Sequence, residues 1–325
     1  MNENELLRRL GAGPVSGDSL AREAGLTRAA VWKRIQALRA AGVEVEARPG
    51  QGYVLRHAPV LLDAEAIAAA LAPDVRARLA ALEVVWSLDS TNSELLRRPA
   101  PAQGCAVLLA ERQTGGRGRQ GRAWASPLAA HLYLSLARRF GGGLARLGGL
   151  SLVAGLAVAE ALHDLGLARI RLKWPNDLVV EQGGVLHKLG GLLVEGGGEH
   201  AGPVRAVIGL GLNVRMPAAF AAAIDQPWTD LATLGAETDR NRLAAAVLAR
   251  LLPALEAFDR DGLAAMLPRY AAFDALAGRA VTLHGHDGAV AATALGLAAD
   301  GALRVRLADG REREVHSGEV SVRRA

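Results

Sequence analysis

Arginine and glycine alternate between Glu111 and Trp124, where Arg117, Arg119 and Arg122 sit among Gly115, Gly116, Gly118 and Gly121. Glycines lack a Cβ, so backbone N–H groups can approach a ligand closely, and guanidinium forks grip phosphate or carboxylate oxygens two at a time. The stretch is suited to binding an anion; a solvated basic loop is the plainer reading of the same residues. Gly116-x-Gly118-x-x-Gly121 also meets the dinucleotide fingerprint, which needs a helix opening at its last glycine and an acid about 20 residues on. Here Trp124 and Pro127 follow, and Arg138 and Arg139 stand where the acid belongs, so a nicotinamide site is disfavoured. A kinase loop is disfavoured too, because its lysine, catalytic-loop and magnesium motifs are missing.

Other polar residues interrupt apolar runs. Ser90, Thr91 and Asn92 fall where a strand over 82–86 gives way to a helix, placed either to cap that helix or to hydrogen-bond a polar ligand head. Lys173, Asn176 and Asp177 surround a proline-set corner between two strands. Lys188 opens the apolar strand 188–195, where a lone lysine is ordinarily a snorkelling edge residue. Gly209 and Gly211 lie inside the next strand, marking bulges or the close approach of another group, for which a ligand is the candidate.

The elements that must position these groups are a sheet and one apolar helix. The strand-like runs 105–110 and 131–136 flank the arginine–glycine stretch. The segment 144–165 has so few ionisable residues that its predicted helix must be buried against a sheet. Residues 61–82 read as linker plus an alanine-rich helix, and 241–258 as a helix despite Pro253, continued over 263–270.

The ends differ in pattern from the middle. Helical spacing at 4–10, a Ser16-capped helix at 20–24, a turn at Gly25 and a Thr27-capped helix at 28–41 form a helix-turn-helix; 42–55 then alternates as a hairpin with its tip at 49–52. This winged-helix pattern carries Arg28, Lys33, Arg34 and Arg48 as candidate DNA contacts, against the alternative of a helical protein-interaction module. From Arg279 onward, short alternating runs with turns at Asp287-Gly288, Asp300-Gly301 and Asp309-Gly310 predict a small barrel of about five strands.

With 325 residues, half of them apolar, the chain can form two or three domains. No signal-like leader or run of about 18 apolar residues is present, so a cytoplasmic protein away from the membrane is expected. The single Cys105 excludes an internal disulfide, and the scattered histidines, His284 and His286 among them, predict no protein-bound transition metal. A net charge of +5 permits nucleic-acid contact without requiring it.

Ser90 to Asn92, Gln113 to Arg119, Trp124 to Pro127, Lys173 to Asp177, Lys188 to Gly191 and Ile208 to Asn213, in this order behind a winged helix, closely resemble the bifunctional biotin protein ligase and biotin-operon repressor family over essentially the whole chain. The resemblance implies an α/β (α+β) protein of three parts: a winged helix-turn-helix at 1–58, a mixed-sheet catalytic domain at 59–275 and an SH3-like barrel at 276–325. It implies that biotin and ATP, with Mg²⁺, give biotinyl-5′-AMP, and that biotin then passes to a lysine of a biotin carboxyl carrier protein such as that of acetyl-CoA carboxylase.

Operator DNA and, in the adenylate-bound state, a second copy of the chain are the other implied partners. Carried over by motif, Ser90, Thr91, Asn92, Gln113, Gly116, Arg117, Gly118, Arg119 and Lys188 hold biotin. Arg117, Arg119, Arg122, Trp124, Asn176, Lys188 and Asn213 hold ATP and the adenylate, Trp124 by stacking. Lys188 and Arg119 are the implied catalytic groups, and Asp177 is the candidate base for transfer. A lipoate ligase and a biotin-sensing transcription factor are the competing readings.

Overall fold

Asn2 and Glu5 cap the first helix reciprocally, each side chain bonded to the other's backbone N–H. In the computed structural model, which describes residues 1–141, 143, 147–198, 204–236, 239–285, 288–316 and 321–324, this helix (α1, Glu3–Gly11) is followed by α2 (Gly17–Ala24) and α3 (Arg28–Ala40). Ser16 and Thr27 cap α2 and α3, and Gly25, in the left-handed conformation, ends α2. The wing is the antiparallel pair β1 (Val45–Arg48) and β2 (Gly52–Leu55). Leu6, Leu10, Leu20, Val31, Ile35 and Leu38 form its core.

The segment read as one alanine-rich helix is instead α4 (Ala64–Ala69) and α5 (Pro73–Arg76), since Pro73 cannot continue α4 and starts a new turn. The central sheet follows: β3 (Leu79–Leu88), then α6 (Thr91–Arg97), β4 (Cys105–Gln113) and β5 (Leu132–Phe140). Next come α7 (Leu150–Asp164), β6 (Ile170–Lys173), β7 (Asp177–Gln182), β8 (Val185–Gly198) and β9 (Val204–Leu212). Their order is β3-β4-β5-β9-β8-β7-β6, with β3 and β4 parallel and every other pair antiparallel, the mixed sheet expected.

The predicted apolar helix begins at Leu150 rather than at 144; residues 144–146 lie outside those described. It is buried almost all round against the sheet and a long helix. After α8 (Ala218–Ala221), that long helix is α9 (Arg240–Asp261), which accommodates Pro253 and stops at Gly262, so the predicted continuation is a separate α10 (Leu267–Phe273).

The C-terminal part is a five-stranded antiparallel sheet of β10 (Ala280–Gly285), β11 (Gly288–Leu297), β12 (Leu303–Leu307), β13 (Glu312–Val315) and β14 (Ser321–Arg324), ordered β13-β12-β11-β10-β14. These are the five short antiparallel strands expected of the small C-terminal barrel. His286 and Asp287 lie outside the described residues. Val281, Leu283, Leu303 and Val305 join the core of the central domain, and Trp174 Nε1 donates to Gly301 O at 3.0 Å. Among the described residues, no helix is long and apolar enough to cross a membrane.

Candidate active site and nucleic-acid face

Strand alternation produces a cavity on one side of the central sheet. Leu134 and Leu136 of β5, Leu192 of β8, and Ile208 and Leu210 of β9 belong to the core that contains α7 and α9. The opposite parity of the same strands is Ser135, Gly191, Leu193, Gly209 and Gly211, and these line a cavity of about 910 Å³.

The strand glycines, which line the cavity, also let protein side chains approach the sheet closely. A Cβ on Gly209 would fall 2.3 Å from Asn92 Oδ1, and one on Gly211 would fall 2.6 to 2.8 Å from the Trp124 ring. Gly191 similarly clears Lys188 and Asp177.

One end of the cavity is a polar network at the entrance of α6. Ser90, Thr91 and Asn92 are all buried, and Ser90 caps the helix, the first of the two readings of these residues. Gln113 Oε1 accepts from Thr91 N at 2.8 Å and from its hydroxyl at 3.1 Å. Ser135 Oγ lies 2.6 Å from both Thr91 Oγ1 and Asn92 Oδ1, while Asn92 Nδ2 donates to Glu195 Oε2 at 2.8 Å. Buried polar groups paired this thoroughly form a rigid hydrogen-bonding surface.

At the other end the arginine–glycine stretch folds back on itself. Gly118 N donates to Arg122 O at 2.7 Å and Trp124 N to Gly116 O at 2.9 Å; no α-helix opens there, only a short 3₁₀ turn. Arg117 is held by Glu195 at 2.9 and 3.0 Å and by Ser93 Oγ. Arg119 reaches Asn176 Oδ1 at 3.4 Å, and Asn176 is fixed in turn by donation to Leu192 O at 2.6 Å. Burial pushes the Arg119 guanidinium below its ordinary pKa, with Asp177 opposing and Arg122 reinforcing the shift. A guanidinium stays charged regardless of such a shift, so Arg119 places a fixed positive charge in the cavity wall.

Between the two ends stands Lys188. β8 lies between β7 and β9, so Lys188 is no edge residue. Its backbone is pinned to Pro227 O and Thr229 N at 2.9 Å each. Its Nζ lies 2.7 Å from Asp177 Oδ1 and 5.4 Å from the centroid of the Trp124 ring.

Most of the sequence candidates therefore meet in one cavity; Arg122 lines it from the exposed rim and Gly118 through the loop. Two do not line it. Gly116 packs under Ser126 and Gln113. Asn213 is buried behind Lys188, its amide donating to Thr229 O at 3.1 Å and Lys188 O at 3.5 Å. Sequence reasoning missed Ser135 and Glu195. Each was visible as a polar residue on the small-residue parity of an otherwise apolar strand.

The winged helix presents a second candidate surface. Arg28 and Lys33 are exposed on α3 and Arg48 on the wing; Arg28 lies 3.4 Å from Asp18 and Arg48 2.8 Å from Glu46. Exposed pairs of this kind are weak enough to yield to phosphate. Arg34 is half-buried with Nη1 sealed from solvent, and its charge acts on Glu5 of α1.

Comparison with known proteins agrees with this architecture part by part. Residues 2–54 match the HTH domain, 84–213 the Biotin/lipoate A/B protein ligase family, and 277–323 the Biotin protein ligase C terminal domain. Among solved structures, the chain is similar to a biotin protein ligase from Aquifex aeolicus in complex with biotin and ATP, with TM-score 0.62 and 29% identity over 76% of this chain and 99% of that one. A Mycobacterium tuberculosis biotin–[acetyl-CoA-carboxylase] ligase is 43% identical over 54% of this chain and 63% of its own length. The bifunctional ligase/repressor BirA of Salmonella typhimurium is 40% identical over 95% of this chain and 93% of its own, and that of Escherichia coli is 39% identical over the same shares. The chain belongs to the bifunctional ligase/repressor BirA family.

Proposed function

We propose that this chain joins biotin to ATP as biotinyl-5′-AMP, transfers the biotin to a lysine of a biotin carboxyl carrier protein, and represses transcription through its winged helix. The observation that carries the ligase reading is the Lys188–Asp177 pair, set between a buried hydrogen-bonding surface and three arginines in one cavity. The network around Ser90, Thr91, Asn92 and Gln113 matches the donors and acceptors of a ureido ring, which would be costly to bury unpaired. The arginine end suits phosphate.

In the first step a biotin carboxylate oxygen attacks the α-phosphorus and the bond to pyrophosphate breaks. Two anions must meet for this, and fixed cations lower the barrier electrostatically. Lys188 exchanges its contact with Asp177 for the carboxylate and α-phosphate; Arg119 holds the phosphate side, and Arg117 and Arg122 close over the adenylate. In the second step the carrier's lysine amine attacks the acyl carbon, the bond to AMP breaks, and Asp177, released by Lys188, accepts the amine proton. Mg²⁺ accompanies the ATP phosphates, where it supplies further positive charge.

The adenylate-bound chain pairs with a second copy and binds operator DNA through Arg28, Lys33 and Arg48. The working units are 1–58, 59–275 and 276–325.

Acid-quenching a reaction of the full chain with biotin, Mg²⁺ and α-phosphate-labelled ATP tests the first step. Labelled biotinyl-AMP is expected, and Lys188→Ala should slow its formation by roughly 10²- to 10³-fold. Formation at the wild-type rate in that variant would remove Lys188 from the mechanism.

A further inference from the structure

The outer face of α3 carries Ala29, Trp32, Lys33, Gln36, Ala37 and Ala40. Three are alanines, so the helix backbone can approach a surface closely, and only Trp32, Lys33 and Gln36 reach out from it. Trp32 is 54% exposed, the most exposed large hydrophobic side chain among the described residues. An indole left in water on a basic helix face marks a contact surface.

It is also oriented. The Gln36 amide, turned so that its oxygen faces its donors, accepts from Trp32 Nε1 at 3.3 Å and Arg39 Nη1 at 3.1 Å, and Arg39 Nε donates to Val45 O at 2.9 Å in the wing. A chain of hydrogen bonds thus ties the indole N–H back to the helix and leaves its carbon rim facing outward.

We propose that Trp32 is a specificity-determining residue that reads the 5-methyl group of a thymine in the major groove. The inference rests on the reading of the N-terminal module as DNA-binding. In a helix-turn-helix the second helix enters the major groove, and its first turns face the base edges. Arg28 and Lys33 on α3 and Arg48 on the wing supply charge complementary to the flanking phosphates. With its N–H engaged by Gln36, Trp32 offers the groove no hydrogen bond, and the thymine methyl is the apolar group that base edges present there. The contact discriminates by shape and burial.

The test starts from a random-sequence duplex pool, selected with the full-length chain in the presence of biotin and MgATP. The recovered sites should carry a fixed thymine in each half-site. Replacing that thymine by deoxyuridine removes only the methyl and should weaken wild-type binding about fourfold per half-site, from the burial of one methyl-sized group. Trp32→Ala should bind the two duplexes equally while keeping the wild-type unfolding midpoint.

Wild-type protein that binds thymine and deoxyuridine duplexes alike would overturn the proposal, as would Trp32→Ala that retains the difference. No enrichment of any sequence would overturn the DNA-binding reading itself, and this proposal with it.

Discussion

His131 shows how a single residue's surroundings translate into a measurable property. Its ring is fully buried, its Nδ1 accepts from Val214 N at 3.1 Å, and burial pushes its pKa down to about 4. The imidazole is therefore neutral in the folded chain. Because the folded pKa lies below the ordinary value of 6.5, the unfolded chain takes up the proton first as pH falls. The stabilising contribution is complete above pH 6.5 and drains away toward pH 4, a change on the order of 3 kcal/mol. Urea midpoints of wild type and His131→Asn should accordingly converge as pH drops through that window. A constant difference between them would show that the ring does not titrate as its burial dictates.

At the scale of elements, the alternation of β5, β8 and β9 does most of the positioning. One parity is leucine and isoleucine and faces the helices; the other, with Ser135, Gly191, Gly209 and Gly211 beside Leu193, leaves space above the sheet. Gly211→Ala would place a Cβ within 2.6 to 2.8 Å of the Trp124 ring and displace the aromatic face that Lys188 lies over. Adenylate formation should fall at least about tenfold, because small misplacements of reacting groups are severe. Gly197→Ala in β8, where a Cβ meets nothing within 4 Å, should be silent. Equal activity of the two variants would mean that Trp124 does not position the site.

The same elements show what the sequence made legible. The winged helix, the mixed sheet and the meeting of Lys188, Asp177, Asn176 and the arginines could be read from spacing and motif. Glu195 could not be assigned its role, because its partners Arg117 and Asn92 are brought to it only by the folding of three separated segments. The break at Pro73 was legible in principle, but alanine content dominated the reading of that segment.

At the scale of the whole molecule, the parts are joined by buried polar contacts rather than by flexible connection. Glu111, at the base of the arginine–glycine stretch, pairs with Arg240 of α9 at 2.7 Å, both nearly inaccessible, and accepts from Leu62 N at 2.5 Å. Arg240 also donates to Val60 O, so the segment joining the winged helix to the catalytic domain is clamped from both sides. Removing one partner of such a pair is strongly destabilising, since the other charge is left buried alone. Leu128 and Ala129, just past the arginine loop, belong to the core of the winged helix, and Leu128 N donates to Ala41 O at 2.7 Å. Loop and DNA-binding module thus share a packed boundary. None of these pairings has a local signature, and this is why the sequence disclosed the parts more readily than their joints.

The central claim is that one cavity activates biotin and delivers it to a protein lysine. The most direct test is the intact mass of a biotin carrier domain after incubation with the full chain, MgATP and either biotin or lipoate. The account predicts a biotin-sized increase on one lysine and none with lipoate. A lipoate-sized increase would contradict the substrate assignment, and no increase on a carrier that another ligase can modify would contradict the ligase reading altogether.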